Sequence, residues 1–418
     1  MKKNILMVAF HMPPAAMGSG HLRPLGFATY LPLFGWSPVI LSARQRAYPF
    51  INQSSVNLIP KTCRVYRSFA LDARRHFGLW GKYPAFLAQP DRWSSWWPAA
   101  VWQGLRLIRK YNIRVIWSTY PIMTAHSVAY TLSRLTGLSW IADFRDPVTS
   151  SVSLENRYAI SSQRRWEQRV VTHATHSVFT TPGALRLYAE RYPQIHRQGR
   201  MTLIPNGFDE AAIPNLPPAV DHQPGRPLRL LHSGILYRSG RNPVPFLTAL
   251  ARLKKSGVVT ADELSVTLRA SGSVAEYGAE IKRLELNDMV KLAPAVSYQE
   301  ALSEQAYSDA LLLFQGEQYD YQIPIKLYEY LRIGRHIFAL IGEHGDTAAV
   351  LRDTGGAEIV SPDNVAIIQE RLVEFLRALR EGRAPTVNKS AIQHYSRKAG
   401  TEQLAELLDR MASHNSTV

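Results

Sequence analysis

The feature that most constrains this chain is an alternation of short apolar runs with helix-length stretches, which proceeds twice through the sequence and is broken once by prolines. ILMVAF (5–10) reads as a buried strand, 21–34 as a helix and SPVILSA (37–43) as the next strand. IRVIWST (113–119) and LSWIADF (138–144) flank a helical stretch near 124–136. SVFTTP (177–182) precedes a helix that fades near Tyr192, and TLIPNG (202–207) closes the series. Strands that alternate with helices imply a parallel, doubly wound α/β sheet. Residues 208–227 then carry Pro214, Pro217, Pro218, Pro224 and Pro227, which disrupt regular structure.

The rhythm restarts beyond the prolines. LRLLHSG (228–234), SVTLRASG (265–272), VKLAP (290–294), DALLLFQ (309–315) and HIFALIG (336–342) read as strands. Helices are expected near 243–256, 274–285, 298–307 and 325–334, and the spacing of 401–413 is that of an amphipathic helix. The expected organisation is a first α/β domain over 1–207, a linker over 208–227, a second α/β domain over 228–385 and terminal helices over 386–418. A length of 418 residues accommodates two such cores.

Composition excludes some classes. The single cysteine, Cys63, rules out an intramolecular disulfide and a multi-cysteine metal site, and fits a reducing compartment. The start, MKKNILMVAFHMPP, imitates a signal peptide, but its apolar run is short and lacks a small-residue cleavage site, so a first strand is expected. No window reaches the apolar length of a membrane-spanning helix, so the protein is expected to be soluble or peripheral. The net charge of +16 is uneven: residues 1–205 hold 26 Lys+Arg against 7 Asp+Glu, and all nine tryptophans lie at or before Trp166. A basic, Trp-rich first half suggests an anionic counterpart such as a membrane surface, a phospholipid-like substrate or nucleic acid. The stretch 74–98 interleaves Arg74, Arg75, Lys82 and Arg92 with Trp80, Trp93, Trp96 and Trp97. It reads either as a membrane-facing aromatic and basic patch or as packing inside the domain.

Four segments carry residues suited to chemistry. PPAAMGSGH (13–21) places Gly18 and Gly20 before a helix, where backbone N–H groups meet an anion, or where a turn simply needs glycine. Arg23 stands where a third glycine of a dinucleotide fingerprint would be, so that motif is not supported. IADFRDPVTS (141–150) sets Asp143, Arg145 and Asp146 at the carboxyl end of a strand, either to orient a polyhydroxylated substrate or as an internal Arg–Asp pair. HSGILYRSGRNP (232–243) offers Gly234, Arg238 and Arg241, arginine being suited to phosphate. In DYQIPIKLYEYLRIGRHIFAL (320–340), Pro324 suits the first turn of a helix that would point its N-terminus and Lys326 at a phosphate. Glu329 lies beyond, able to accept hydrogen bonds from a ribose diol, or to be an ordinary exposed partner of Lys326.

Taken together, PP…GSG with Arg23, FRDP (144–147), PNGFD (205–209), SGILYRSGRNP (233–243) and PIKLYEYLRIGR (324–335) resemble the family-4 glycosyltransferases of the GT-B fold, in particular the bacterial branch that assembles surface polysaccharides. The resemblance spans nearly the whole chain. It implies two Rossmann-like domains facing each other across a cleft, the acceptor on the first, the donor on the second, and a terminal helix crossing back to the first. It implies a retaining transfer from a nucleotide sugar to a saccharide or polyprenyl-diphosphate-linked acceptor, with no cofactor and no obligatory metal. Glu329 matches the second glutamate of the family's E-x7-E motif, and Arg241 the basic residue late in the diphosphate loop. The earlier basic position is Ile235, for which Arg238 is the expected stand-in. Tyr321 replaces the first glutamate, which departs from the family and leaves the donor sugar open. The resemblance thus puts Gly18, Gly20, Gly234, Arg238, Arg241, Lys326 and Glu329 with the donor. Asp143, Arg145 and Asp146 fall on the acceptor side, and Arg238, Arg241 and Lys326 stabilise the leaving diphosphate. A cytoplasmic location, peripheral on the inner face of the membrane, follows. Competing readings are a sugar-nucleotide epimerase of the same fold, which needs acid/base residues but no acceptor, and a basic membrane- or nucleic-acid-binding module.

Overall fold

The computed structural model describes residues 3–16, 18–78, 89–148, 157–210 and 225–414. The chain divides into two compact units, residues 1–206 with 397–418, and residues 207–396. In the first unit the elements are β1 (Lys3–Val8), α1 (Leu22–Tyr30), β2 (Trp36–Ala43), β3 (Arg64–Ser68), α2 (Ala73–His76), α3 (Trp96–Tyr111) and β4 (Ile113–Thr119). There follow α4 (Met123–Thr136), β5 (Ser139–Phe144), α5 (Arg157–His173), β6 (His176–Phe179), α6 (Pro182–Arg191), α7 (Pro193–Arg197) and β7 (Met201–Leu203). The strands form a parallel sheet in the order β3-β2-β1-β4-β5-β6-β7, so the chain winds outward from β1 in both directions.

Pleating sends alternate residues of β1 to opposite faces. Leu6 and Val8 enter a core shared with Trp96, Ala100 and Leu107 of α3 and Met123, Val128 and Leu132 of α4. Ile5 and Met7 enter the opposite core with Leu25 and Phe27 of α1. The helix expected over 21–34 is instead α1 followed by a 3-10 turn, Leu31–Phe34, because Pro32 has no N–H to continue the α ladder. Gly35, at φ 79°, then turns the chain into β2. Several elements lie outside the expected series, among them β3, α3 and α5 here and, in the second unit, Asp346–Thr354, Ala357–Val360 and Val365–Arg380. β3 is an arginine-bearing edge strand, too polar for an apolar-run search. α3 buries only Trp96, Ala100, Gly104 and Leu107, a narrow stripe whose Gly104 lets α4 approach: a Cβ there would lie 2.6 Å from Leu132 Cδ1.

The second unit contains β8 (Leu228–Ser233), α8 (Val244–Lys255), β9 (Leu264–Arg269), α9 (Val274–Arg283), β10 (Val290–Ala293), α10 (Tyr298–Tyr307) and β11 (Ala310–Phe314). It continues with α11 (Ile325–Ile333), β12 (His336–Leu340), α12 (Asp346–Thr354), β13 (Ala357–Val360) and α13 (Val365–Arg380). Its parallel sheet has the order β10-β9-β8-β11-β12-β13. The two sheets are Rossmann-like halves, as the alternation of strands and helices implies. α10 starts on a capping box in which Ser297 accepts from the Glu300 N–H and the Glu300 carboxylate accepts in return.

The return to the first unit begins later than the expected boundary at 386. Residues 386–396 stay with the second unit because Asn388 N–H donates to Thr354 O at 2.8 Å and Phe208 N–H donates to Tyr395 O at 3.1 Å. α14 (Arg397–His414) then belongs to the first unit, with Leu404, Leu407 and Leu408 buried in the core that holds Leu25, Phe27 and Trp36. Asp409 of this helix accepts from Lys3 Nζ at 2.8 Å and from Trp36 Nε1 at 3.1 Å.

In the aromatic and basic stretch 74–98, two of the tryptophans pack inside the domain, while Arg74 and Arg75 are exposed. Trp93 and Trp96 are core residues, their indoles donating to Ala47 O at 3.2 Å and Ser68 Oγ at 2.8 Å. Arg75 donates to Tyr48 O at 2.6 Å and Arg92 stacks 4.2 Å over the Trp93 ring. Trp97 is 40% exposed; Trp80 and Lys82 lie outside the described residues.

Candidate functional site

In the second sheet β8 and β11 are neighbours, yet the helices that follow them pack on opposite faces. α8 joins the core of Leu228 and Leu230, and α11 joins that of Leu231, Leu311 and Leu313. Loops that part in this way open a crevice at the carboxyl ends of the strands, the usual ligand position in an open α/β sheet. The loop after β8 carries Gly234 at φ 130°, where an L side chain is strained. A Cβ at Gly234 would stand 2.6 Å from Lys326 Nζ, so the absence of a side chain there makes room for the ammonium group. The Ser233 N–H donates to Tyr330 Oη at 3.2 Å, tying α11 to the end of β8.

α11 begins at Ile325 as expected, with Pro324 as its N-cap and not within its first turn, at φ −61° and ψ 132°, and no side chain caps the helix. Lys326 is in its first turn, where uncapped N–H groups and the helix dipole favour an anion. Burial, reinforced by the Arg241 charge and opposed by Glu329, pushes the Lys326 pKa down to about 7. Its Nζ lies 3.3 Å from His232 Nε2. Glu329 accepts a hydrogen bond from Tyr298 Oη at 3.0 Å. Arg241 N–H donates to Tyr237 O at 2.8 Å, and its guanidinium sits 5.5 Å over the Tyr237 ring. The structure therefore gathers Gly234, Arg241, Lys326 and Glu329 about the ends of β8 and β11.

Arg238 is drawn elsewhere. Its guanidinium pairs with Glu276 of α9 and lies 4.0 Å from Glu280, with more than half of the side chain exposed. Arg238, expected as the stand-in for the basic residue missing at Ile235, is thus held toward α9 by an exposed ion pair, and Ile235 is an exposed apolar residue.

In the first unit, the FRDP stretch divides. Asp143 is wholly buried; its Oδ1 accepts from Arg23 Nε at 3.0 Å and NH2 at 2.8 Å, and its Oδ2 from Thr119 Oγ1 at 2.8 Å. Arg23 also donates to Ile204 O at 3.0 Å and Pro205 O at 2.9 Å, closing β7 onto the sheet. Asp143 is therefore the internal member of an ion pair, and the acceptor-side assignment is corrected for it. Arg145 and Asp146 are only partly buried. Arg145 NH1 donates to Gly20 O at 2.9 Å, and burial lowers its pKa while raising that of Asp146. Gly20 packs against the His11 imidazole, which leaves no space for a Cβ, whereas Gly18, at φ 70°, is exposed and meets nothing. These two glycines shape the loop after β1 in the first unit.

Two histidines at strand ends went unread. His232 is the polar interruption of LRLLHSG and is buried completely beneath Lys326. His11 ends the first apolar run; burial, then the Arg145 charge, lowers its pKa to about 3. A polar residue at the carboxyl end of an otherwise apolar strand was the available signal in both.

Residues 26–207 match the family described as glycosyl transferase 4-like domain. No curated protein matches the sequence. Among solved structures, sucrose-phosphate synthase from Thermosynechococcus elongatus is similar over 99% of this chain and 100% of its own, with a TM-score of 0.68 at 15% identity. HepE of Anabaena, in complex with UDP and glucose, gives a TM-score of 0.63 at 13% identity over 98% of this chain and 100% of its own. The lipopolysaccharide outer core galactosyltransferase WaaB, in its apo form, gives 0.59 at 12% identity over 97% and 99%. At these identities the likeness is one of fold.

Proposed function

We propose that this glycosyltransferase, whose first unit is a glycosyl transferase 4-like domain on the GT-B fold, moves a sugar from a nucleotide-sugar donor bound by the second unit. The observation that carries the reading is the convergence of Gly234, Arg241, Lys326 and Glu329 at the ends of β8 and β11. Glu329 would accept from the ribose diol, exchanging its bond from Tyr298 Oη for those of the ligand. Arg241, Lys326 and the uncapped start of α11 would meet the diphosphate. Negative charge grows on the leaving diphosphate as the glycosidic bond breaks, so cations fixed there stabilise the transition state more than the ground state. That HepE is described in complex with UDP and glucose supports a nucleotide-sugar donor.

The finer reading follows the family resemblance. Transfer proceeds with retention, a phosphate oxygen of the donor taking the acceptor proton, and the fixed cations make a metal dispensable. The acceptor is a saccharide or polyprenyl-diphosphate-linked saccharide of cell-surface polysaccharide biosynthesis. No helix among the described residues is long and apolar enough to cross a membrane. With Trp93 and Trp96 buried, the surface suited to an anionic membrane shifts to α3. There Trp97 and Trp102 are exposed, Arg106 stacks 3.9 Å over Trp102, and Arg109 and Lys110 line an open groove of about 480 Å³ with Tyr66. Aromatic and basic side chains of this kind suit the headgroup layer.

Calorimetry with UDP, GDP, ADP and dTDP tests the donor site. One of them is expected to bind, with Glu329→Ala weakening it by about tenfold for the loss of a charge-assisted bond. Affinity unchanged by that substitution would remove Glu329 from the site. Nuclear magnetic resonance of the product, with and without a chelator, tests retention and metal independence.

A further inference from the structure

His232 is fully buried at the end of β8, and both of its ring nitrogens have defined neighbours. Nδ1 lies 2.9 Å from the carbonyl oxygen of Leu312 in β11, which can only accept, so Nδ1 carries the proton. The ring is neutral, because burial holds its pKa well below the ordinary value. Nε2 is then an acceptor, and the group 3.3 Å away is Lys326 Nζ, which as an ammonium can only donate; the Gly234 backbone also hydrogen-bonds to the ring. The Phe314 ring meets the imidazole edge-on at 5.1 Å between centroids and holds its plane. A lysine ammonium is a point charge on a flexible stem, and by itself has no fixed direction. Here the β11 backbone sets the tautomer, the tautomer sets the acceptor, and the acceptor sets the ammonium against the open side of Gly234.

We infer that His232 is a positioning residue that aims the Lys326 ammonium at the donor diphosphate and keeps it protonated there. The inference rests on the donor site proposed above. The charged and titratable groups that face Lys326 are Arg241 from the loop after β8, Glu329 from α11 and His232 from β8. Arg241 disfavours the ammonium and Glu329 favours it. His232 adds a hydrogen bond that only the charged, or fully hydrogen-bearing, nitrogen makes well. In the free protein Lys326 titrates near neutrality, and diphosphate binding takes up a proton whenever the amine was neutral. Removing the acceptor lowers the amine's pKa further, so the loss in affinity grows with pH.

The test is calorimetric titration of the full chain with whichever of UDP, GDP, ADP and dTDP binds, between pH 6 and 8.5, in buffers of differing ionisation enthalpy. The ionisation of the ligand itself is common to all variants and cancels in their ratios. His232→Leu and His232→Asn are expected to bind within about twofold of the parent at pH 6 and roughly tenfold more weakly at pH 8, for a pKa lowered by about one unit. His232→Asn retains a donor toward Leu312 but presents no acceptor to Lys326, whereas His232→Gln presents an oxygen near the place of Nε2 and is expected to restore the parent profile. Lys326→Met removes the proton uptake altogether. An equal, pH-independent loss in all three His232 variants, or no loss in any, overturns the positioning role and leaves the donor site standing. Absence of binding by the parent to every nucleotide removes the donor site, and the positioning role with it.

Discussion

Asp143 shows how a single residue can look catalytic in sequence and be structural in the fold. It sits at the carboxyl end of β5, where ligands bind, yet Arg23 and Thr119 occupy both of its oxygens in a fully buried setting. Asp143→Ala leaves the Arg23 guanidinium buried and unanswered, which is expected to cost on the order of 3–5 kcal/mol in chemical unfolding of the first unit. The double replacement Arg23→Met with Asp143→Leu is expected to recover most of that loss. Burial of histidine makes a second prediction at this scale. His126 Nδ1 lies 2.7 Å from Ser118 Oγ, and burial lowers its pKa to about 3. Its unfolded form takes up a proton below 6.5 while the folded form does not. The stability associated with it is therefore complete above pH 6.5 and declines as pH falls from there toward 3, by about 1.4 kcal/mol per pH unit. The pH slope of the urea midpoint is expected to become shallower in His126→Phe.

At the scale of elements, the loop after β8 and the terminal helix each perform one task. Gly234→Ala places a methyl group 2.6 Å from Lys326 Nζ at a φ of 130°. The expected result is a loss of nucleoside diphosphate affinity of about tenfold or more, with the strain limited to roughly 1–3 kcal/mol of second-unit stability. α14 is remote in sequence from the unit it completes. Leu408→Ala opens the core formed with Leu25, Phe27 and Trp36, and is expected to cost about 2–5 kcal/mol in the first unit alone. Limited proteolysis that reports each unit separately checks this; equal loosening of residues 207–396 would contradict it.

For the molecule as a whole, the two units differ in continuity and in charge. Residues 207–396 are a single stretch, whereas the first unit needs both ends of the chain. The isolated stretch 207–396 is accordingly expected to fold and to bind the same nucleoside diphosphate as the full chain. The first half holds 26 basic against 7 acidic side chains before residue 206, while the remainder is near neutral. If α3 faces an anionic membrane, co-sedimentation with liposomes should require anionic lipid and weaken with salt. Binding should fall when Arg106, Arg109 and Lys110 are replaced by glutamate, each being worth on the order of 1 kcal/mol. Equal partition with neutral and anionic liposomes would reject the docking surface.

The repeated alternation of apolar strands and helices was enough, by itself, to indicate two parallel α/β sheets, because burial on both faces leaves a period visible in any single stretch. β8, β11 and α11 were legible for that reason, and so were Lys326 and Glu329, whose separation along one helix start is a local property. β3 and α3 were not, since an edge strand and a narrowly buried helix tolerate arginine and so lack the apolar pattern. Nor could the sequence say that Arg238 turns to Glu276, that Arg23 reaches Asp143 across 120 residues, or that His232 lies beneath Lys326. Those pairings depend on which strands become neighbours and on which side chains lose water together, and a linear pattern records neither. Tertiary structure alone decided which of the charged residues pair inside the protein and which gather at the ends of β8 and β11.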